Sequence, residues 1–188
     1  MAKDDDIKKI SDASKPNAGR VYDYMIGGNH NFEIDRQVAR KLEKLAPFGP
    51  KLSRLIRIFL RESIRRMAEA GYNQFLDFAS ALPTEDHIHM NTPEGTKVTY
   101  SDIDPITVRY GRKIIGENAI VKYESCDAST PEILLESDVV KELFGDNHKC
   151  AIGYNGICWF LSNEQISHAM KALYEWADEG STIFLTDG

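Results

Sequence analysis

From residue 74 to residue 186, short apolar runs alternate with longer stretches of helical period. The runs predict strands near 74–79, 97–101, 120–125, 150–155 and 182–186. The stretches between them predict helices near 84–91, 106–116, 131–144 and 163–178. Apolar runs of this length, bounded by turn residues, read as strands buried on both faces. Strand and helix in regular alternation mean a parallel sheet with right-handed crossovers, so the fold class is α/β with flanking helices.

Ahead of residue 72 the period is helical. Arg20 to Ile26 reads as a short helix stopped by Gly27-Gly28, and Asn31 as the cap of a second helix reaching about Leu45. Pro47 and Pro50 bracket a break. Leu52, Leu55, Ile56, Phe59, Leu60, Ile64 and Met67 then recur at helical spacing, giving a long amphipathic helix that Gly71 ends. Its opposite face carries Arg54, Arg57, Arg61 and Arg65, either as a solvated surface or as a dock for an acidic partner such as a carrier protein. Residues 1–16 are polar, close on Pro16 and predict a mobile tail. The expected organisation is a tail over 1–16, a helical cap or lid over 17–72 and a sheet domain over 73–188.

Polar residues punctuate the strands. Asp77, Asp102, Asp127, Asn155 and Asp187 each fall at or just after a strand's carboxyl end. In a parallel sheet those ends share one edge, and ligands bind there. Asp102 follows Ala81 by 21 residues, about where a dinucleotide-type fold places the acid that holds a ribose. A plain turn role ahead of Pro105 is the alternative. Ala79, Ser80 and Ala81 leave the backbone open to a flat ligand. The stretch Ala79-Ser80-Ala81-Leu82-Pro83-Thr84 has none of the glycines that cradle a pyrophosphate, and no Gly-Lys-Ser/Thr occurs anywhere. Nicotinamide dinucleotides are therefore disfavoured, and a nucleoside without phosphates fits.

Composition narrows the partners. The 188 residues are 42% hydrophobic and 28% charged, as in a soluble globular protein. Net charge is −6 but uneven: residues 1–72 hold 15 Lys/Arg against 10 Asp/Glu, and the remainder 8 against 19. Nucleic acid is an unfavourable partner for so acidic a second part. No apolar run approaches the ~18 residues of a membrane helix. The first residues lack the apolar core of a secretory signal. Cys126, Cys150 and Cys158 fit reduced thiols in a cytoplasmic protein. His30, His87 and His89 have no Cys or carboxylate at metal-ligand spacing, so no metal is expected. His87 and His89 are expected on the cleft side of the helix after Pro83.

Three stretches carry a resemblance: Ala18-Gly-Arg-Val-Tyr-Asp-Tyr-Met-Ile-Gly-Gly-Asn-His-Asn-Phe-Glu-Ile-Asp-Arg36, Phe75-Leu-Asp-Phe-Ala-Ser-Ala-Leu-Pro-Thr-Glu-Asp-His-Ile-His89 and Tyr100-Ser-Asp-Ile-Asp-Pro105. From about residue 16 onward the chain resembles an S-adenosylmethionine-dependent methyltransferase with a Rossmann-like sheet. More narrowly, it is similar to a prokaryotic family of these enzymes with an N-terminal helical cap. The resemblance implies S-adenosylmethionine as cofactor and a small-molecule acceptor, free or carrier-bound. It implies that Asp77, Ala79, Ser80, Ala81 and Pro83 form the turn beneath the methionine part. Asp102 would accept from the ribose hydroxyls, with Ile103 packing on the adenine. Asp127, beside Ala128, would face the adenine amino group or cap the following helix. Tyr154 and Asn155 would line the methionine end, Trp159 and Phe160 the wall beyond it or the core. Tyr22 and Asn31 would close over the site. Tyr154, His30 and His89 are candidate bases, with no choice among them.

Two departures from the family pattern stand out. The form Asp-x-Gly-x-Gly-x-Pro has Ala79 and Ala81 here in place of both glycines. The class also carries two strands beyond the one expected at 182–186, so the last two of the usual seven are expected to be missing: either the chain is a fragment of a longer protein, or another chain, a second copy among the candidates, supplies the open edge. A non-catalytic cofactor-binding or assembly module is the rival reading.

Overall fold

The computed structural model describes residues 14–84 and 86–186. Asp187 and most of the expected tail lie outside the described residues. All five expected strands form: β1 Gln74–Asp77, β2 Lys97–Asp102, β3 Val121–Ser125, β4 Ala151–Asn155 and β5 Thr182–Thr186. They are parallel, in the order β3-β2-β1-β4-β5. All four residues of β1 are buried, as a strand with neighbours on both sides and helices on both faces requires. The chain moves outward from β1 to β3 and then returns to the other side of β1. Strand order therefore reverses between β1 and β4, where the register sets Asp77 beside Tyr100 and Gly153.

Seven α-helices surround the sheet among the described residues: α1 Ala18–Ile26, α2 Glu33–Leu45, α3 Gly49–Glu69, α4 Pro105–Ile115, α5 Glu132–Leu135, α6 Asp138–Phe144 and α7 Asn163–Trp176. One core joins Leu60 and Ile64 of α3 and Val108 of α4 to Phe75, Val98 and Tyr123 of the sheet. The other joins Leu134, Val140 and Leu173 of α5, α6 and α7 to Leu76, Ile152 and Tyr154. Alternate residues of β1 thus feed opposite cores, as the two-residue period of a strand dictates. No helix among the described residues is long and apolar enough to cross a membrane.

Four expectations about local structure need correction. The helix expected at 84–91 is a loop with one 3-10 turn, Ile88–Met90: Asp86 takes left-handed backbone at φ 55°, and the His87 ring is drawn back onto the carbonyl of Leu82 at 2.7 Å. The helix expected over 131–144 breaks at Glu136-Ser137, where the Ser137 hydroxyl accepts from Val140 N–H and starts α6 afresh. Asn31 does not cap α2. The Asp35 carboxylate does, accepting from Phe32 N–H at 2.8 Å, while Asn31 donates to Asp23 and to the Gly28 carbonyl. Finally, the buried face of α3 is Ser53, Arg57, Leu60, Ser63 and Ile64, so Leu52, Leu55 and Phe59 are exposed and Arg57 turns inward.

The stretch from Asn17 to Asp35 folds around two carboxylates. Arg20 and Asp35 form a fully buried ion pair at 2.7 Å, and Asp35 also accepts from Asn17 N–H. Asp23 accepts from His30 N–H, from the Asn31 amide and from the Thr84 hydroxyl, tying α1 to the loop after β1. Gly28 passes so close to Asp23 that any Cβ would collide with the carboxylate. Asn17 meanwhile donates to Asp104, which caps α4. Asp35→Ala should cost about 3–5 kcal/mol, the penalty for leaving Arg20 buried without its counter-charge. Urea unfolding of the variant against the parent measures it, and a loss near zero contradicts the expected dependence on this pair.

Candidate active site

A cleft of about 500 Å³ opens at the strand-order reversal, over the carboxyl ends of β1 and β4. This is where ligands bind in open parallel sheets. Its floor is Asp77 to Ala81 with Asn155 and Gly156; its roof is Tyr22 of α1 with Ser53, Arg57 and Leu60 of α3. The mouth is apolar, formed by Leu42, Phe48, Leu52, Trp159 and Phe160, of which Phe48 and Phe160 are the most exposed. Trp159 and Phe160 therefore belong to the pocket and not to the core.

Asp77 is buried at the centre of this floor. Burial lifts its carboxyl to about 6 against the Ser80 hydroxyl and the Arg57 charge, which both pull it down. Gly153 on β4 makes room for it, since a Cβ there would collide with Asp77 Oδ1. Ala79 and Ala81 both adopt left-handed backbone, with φ of 53° and 54°. Hydrogen bonds hold the turn in that shape. Ser80 N–H donates to the Ser101 carbonyl at 2.9 Å, Ala81 N–H donates to Asp102 Oδ2 at 3.2 Å, and the Tyr123 hydroxyl donates to the Ala81 carbonyl at 2.6 Å.

Of the other expected site residues, Tyr22 and Asn155 line the cleft. Both polar atoms of the Asn155 side chain are buried with no partner among the described residues. Asp102 sits beside the turn, its carboxyl raised chiefly by burial, and Ile103 next to it is 64% exposed. Asp127 accepts from Ser129 N–H in the tight turn after β3 and does not cap the following helix, whose N-cap is Pro131 with no side-chain bond. Asn31, Pro83, Asp102, Ile103, Asp127 and Ala128 do not line the cleft; Asn31 is bound to Asp23 and Ala128 is buried.

None of the three candidate bases faces the cleft. Tyr154 is fully buried in the core below α5, its hydroxyl donating to the Ala128 carbonyl and burial raising its pKa. His30 contacts the Tyr110 hydroxyl, and His89 the Tyr100 hydroxyl at 2.8 Å. His87, expected on the cleft side, is fully buried behind Arg57. No cluster of three or more His, Cys, Asp or Glu among the described residues could hold a metal. Arg57 escaped the sequence reading because a charged residue was assigned to the polar face. The small residues Ser53 and Ser63, one and two turns away on the same face, were the available signal.

Two outcomes follow for the turn and its acid. Ala79→Gly and Ala81→Gly should each stabilise the protein by about 0.5–1 kcal/mol, since glycine relieves more left-handed strain than it adds in chain entropy. A thermal melt decides it, and a loss of stability means the alanines make contacts worth more than the strain. For Asp77, a carboxyl raised from 3.8 to about 6 means that the folded state binds more protons than the unfolded between those values. Stability therefore falls as pH rises from about 4 to about 6, by about 3 kcal/mol in all, and Asp77→Asn removes that slope. Urea unfolding across this pH range checks the sign.

Residues 4–188 match the family model described as S-adenosyl methyltransferase. The chain is similar to a crystal structure from Thermobifida fusca YX with a provisional methyltransferase assignment: 30% identity, TM-score 0.84, 94% of this chain and 68% of that one. It is also similar to a DUF574 family protein from Streptomyces avermitilis MA-4680, with 24% identity, a TM-score of 0.81, and coverage of 93% and 69%. The fold extends to the plantazolicin methyltransferase BamL, solved with S-adenosylhomocysteine and a desmethyl substrate analogue, at 9% identity and a TM-score of 0.51, covering 89% and 56%. None of the curated proteins matches. The chain therefore belongs to the S-adenosyl methyltransferase family, and its cofactor is S-adenosylmethionine.

Proposed function

We propose that the cleft binds S-adenosylmethionine across the β1 turn and transfers its methyl group to a small-molecule acceptor, free or carrier-bound, that enters through the apolar mouth. The unpartnered Asn155 amide carries this reading. A buried amide with neither its donor nor its acceptor satisfied costs free energy, and a cleft-lining one points to a polar ligand. When bound, the cofactor supplies an electrophilic methyl group on a sulfonium. The residues present fit its parts: Asp77 beneath the methionine end, Asp102 for the ribose hydroxyls, and the exposed Ile103 as a platform for the adenine, with Asp127 beyond it. Helices α1–α3 act as a lid in this reading, with Tyr22 in its inner surface.

Asp77, Arg57 and Tyr22 are the titratable side chains among the described residues that line the cleft. Tyr22 is a poor base, its pKa raised mainly by burial. Methyl transfer from a sulfonium is an in-line displacement, so the protein's main tasks are to position the nucleophile and exclude water. The apolar mouth serves the second task. An acceptor that is nucleophilic without losing a proton to the protein suits this lining best. The rival reading, a binding module without catalysis, is separated by turnover of labelled cofactor with any acceptor.

Asp102 is the test of the nucleoside. Its two oxygens accept from Ala81 and Asp104 N–H groups, so a conservative change is needed. Asp102→Asn keeps one acceptor, gives up the bond to either Ala81 or Asp104 N–H, and removes the charge facing the ribose, so a thermal melt runs beside the titration. Affinity for S-adenosylhomocysteine should fall about tenfold or more, the worth of a hydrogen bond to a charged group. Calorimetric titration with unchanged affinity removes the ribose from this position.

A further inference from the structure

Arg57 is a buried cation with no carboxylate in ion-pair contact among the described residues. Its side chain lines the cleft from α3 and is 8% exposed. Its Nε has no hydrogen-bond partner among the described residues, and no carboxylate there lies within ion-pair distance of it. The two terminal nitrogens each lie 3.3 Å from His87 Nε2. That contact offers them no acceptor. His87 Nε2 is also 2.7 Å from the Leu82 carbonyl, which can only accept, so Nε2 carries the proton. The guanidinium therefore faces an N–H group, and it lies over the Tyr22 ring, 5.7 Å from its centroid.

His87 stays neutral there. Burial and the adjacent Arg57 charge hold its pKa well below the ordinary value, so it cannot answer Arg57 by charge, and it adds no second cation. Asp77 lines the same cleft and is buried as well, yet the two make no direct ion pair. A cation and a buried carboxyl that line one cleft without closing an ion pair suit a ligand carrying both opposite charges.

We propose that Arg57 is the carboxylate anchor of the cleft, taking the α-carboxylate of an amino-acid zwitterion whose ammonium group lies toward Asp77. This rests on the cofactor reading and deepens it. The zwitterion is the methionine end of the cofactor or an amino-acid acceptor, both of which present the same chemistry. A planar fork suits a carboxylate better than a lysine point charge does. His87 fixes the fork by contact and by its bond to Leu82, the residue after the β1 turn. Arg57 is thus a binding and positioning residue.

The full chain is titrated calorimetrically with S-adenosylhomocysteine and with 5′-methylthioadenosine, which keeps the adenosine but lacks the amino-acid end. A second arm titrates glycine, phenylalanine and glutamate with S-adenosylhomocysteine saturating. In the parent, S-adenosylhomocysteine should bind the more tightly. Arg57→Gln should weaken it on the order of ten- to a hundredfold and leave 5′-methylthioadenosine unchanged. Arg57→Lys should fall between, and carries the comparison if Arg57→Gln does not fold. Loss confined to the second arm supports the anchor and assigns it to the acceptor. Equal weakening of both adenosine ligands overturns the proposal in favour of a structural role, as does unchanged binding in both arms. A parent that binds neither adenosine ligand overturns the cofactor reading instead. In that case the proposal survives only if an amino acid binds alone and Arg57→Gln abolishes it.

Discussion

A carboxyl group buried where the strand order reverses constrains nearly everything around it. Asp77 ends β1 between two neighbouring strands, and burial, the largest cause, raises its pKa to about 6. The sheet makes room by giving up a side chain opposite, at Gly153, and the next residues turn sharply away over Ser80. Arg57 reaches over from α3 and lowers the cost through its field, without closing the pair. Helix α3 is therefore held in place by apolar contacts of Leu60 and Ile64 at one end and by a charge relation at the other.

The same economy shapes the stretch that carried the resemblance. Its residues are for the most part architecture. Arg20 and Asp35 neutralise each other inside the protein, Asp23 gathers three donors from its own loop and from Thr84, and Gly27 and Gly28 supply a left-handed turn and a close approach. Only Tyr22 reaches the cleft. A long specific motif can thus mark how a layer of helices is fastened to a sheet, and its specificity is no measure of contact with ligand.

The alternation of apolar runs made the sheet legible, and the acids at strand ends made the binding edge legible, because both follow from periodicity alone. Asp77, Asn155 and Tyr22 met the cleft as expected. Tyr154 did not, since the period of a strand sends it to the opposite core from a residue one place along, and the run carried no sign of which face held the site. Arg57 and His87 were hidden for a related reason. Their burial depends on contacts between segments 30 residues apart, and no local pattern encodes that. The break inside 131–144 was visible in principle, as Ser137 is a good cap, but an apolar run on both sides of it masked the stop.

The β1 turn shows how far a chain can depart from a pattern and keep its geometry. Left-handed backbone costs an L-residue of the order of 1–2 kcal/mol, which is why glycine is usual there. Here two alanines hold φ near 53°. Strain of that kind persists only where the surroundings over-determine it. They do so from three directions: Ser101 of β2 binds Ser80 N–H, Asp102 binds Ala81 N–H, and Tyr123 of β3 reaches across to the Ala81 carbonyl. The two methyl groups then project at a floor that glycines would leave bare. The hydrogen bonds fix the shape of the turn, and the side chains set how closely a ligand can approach it.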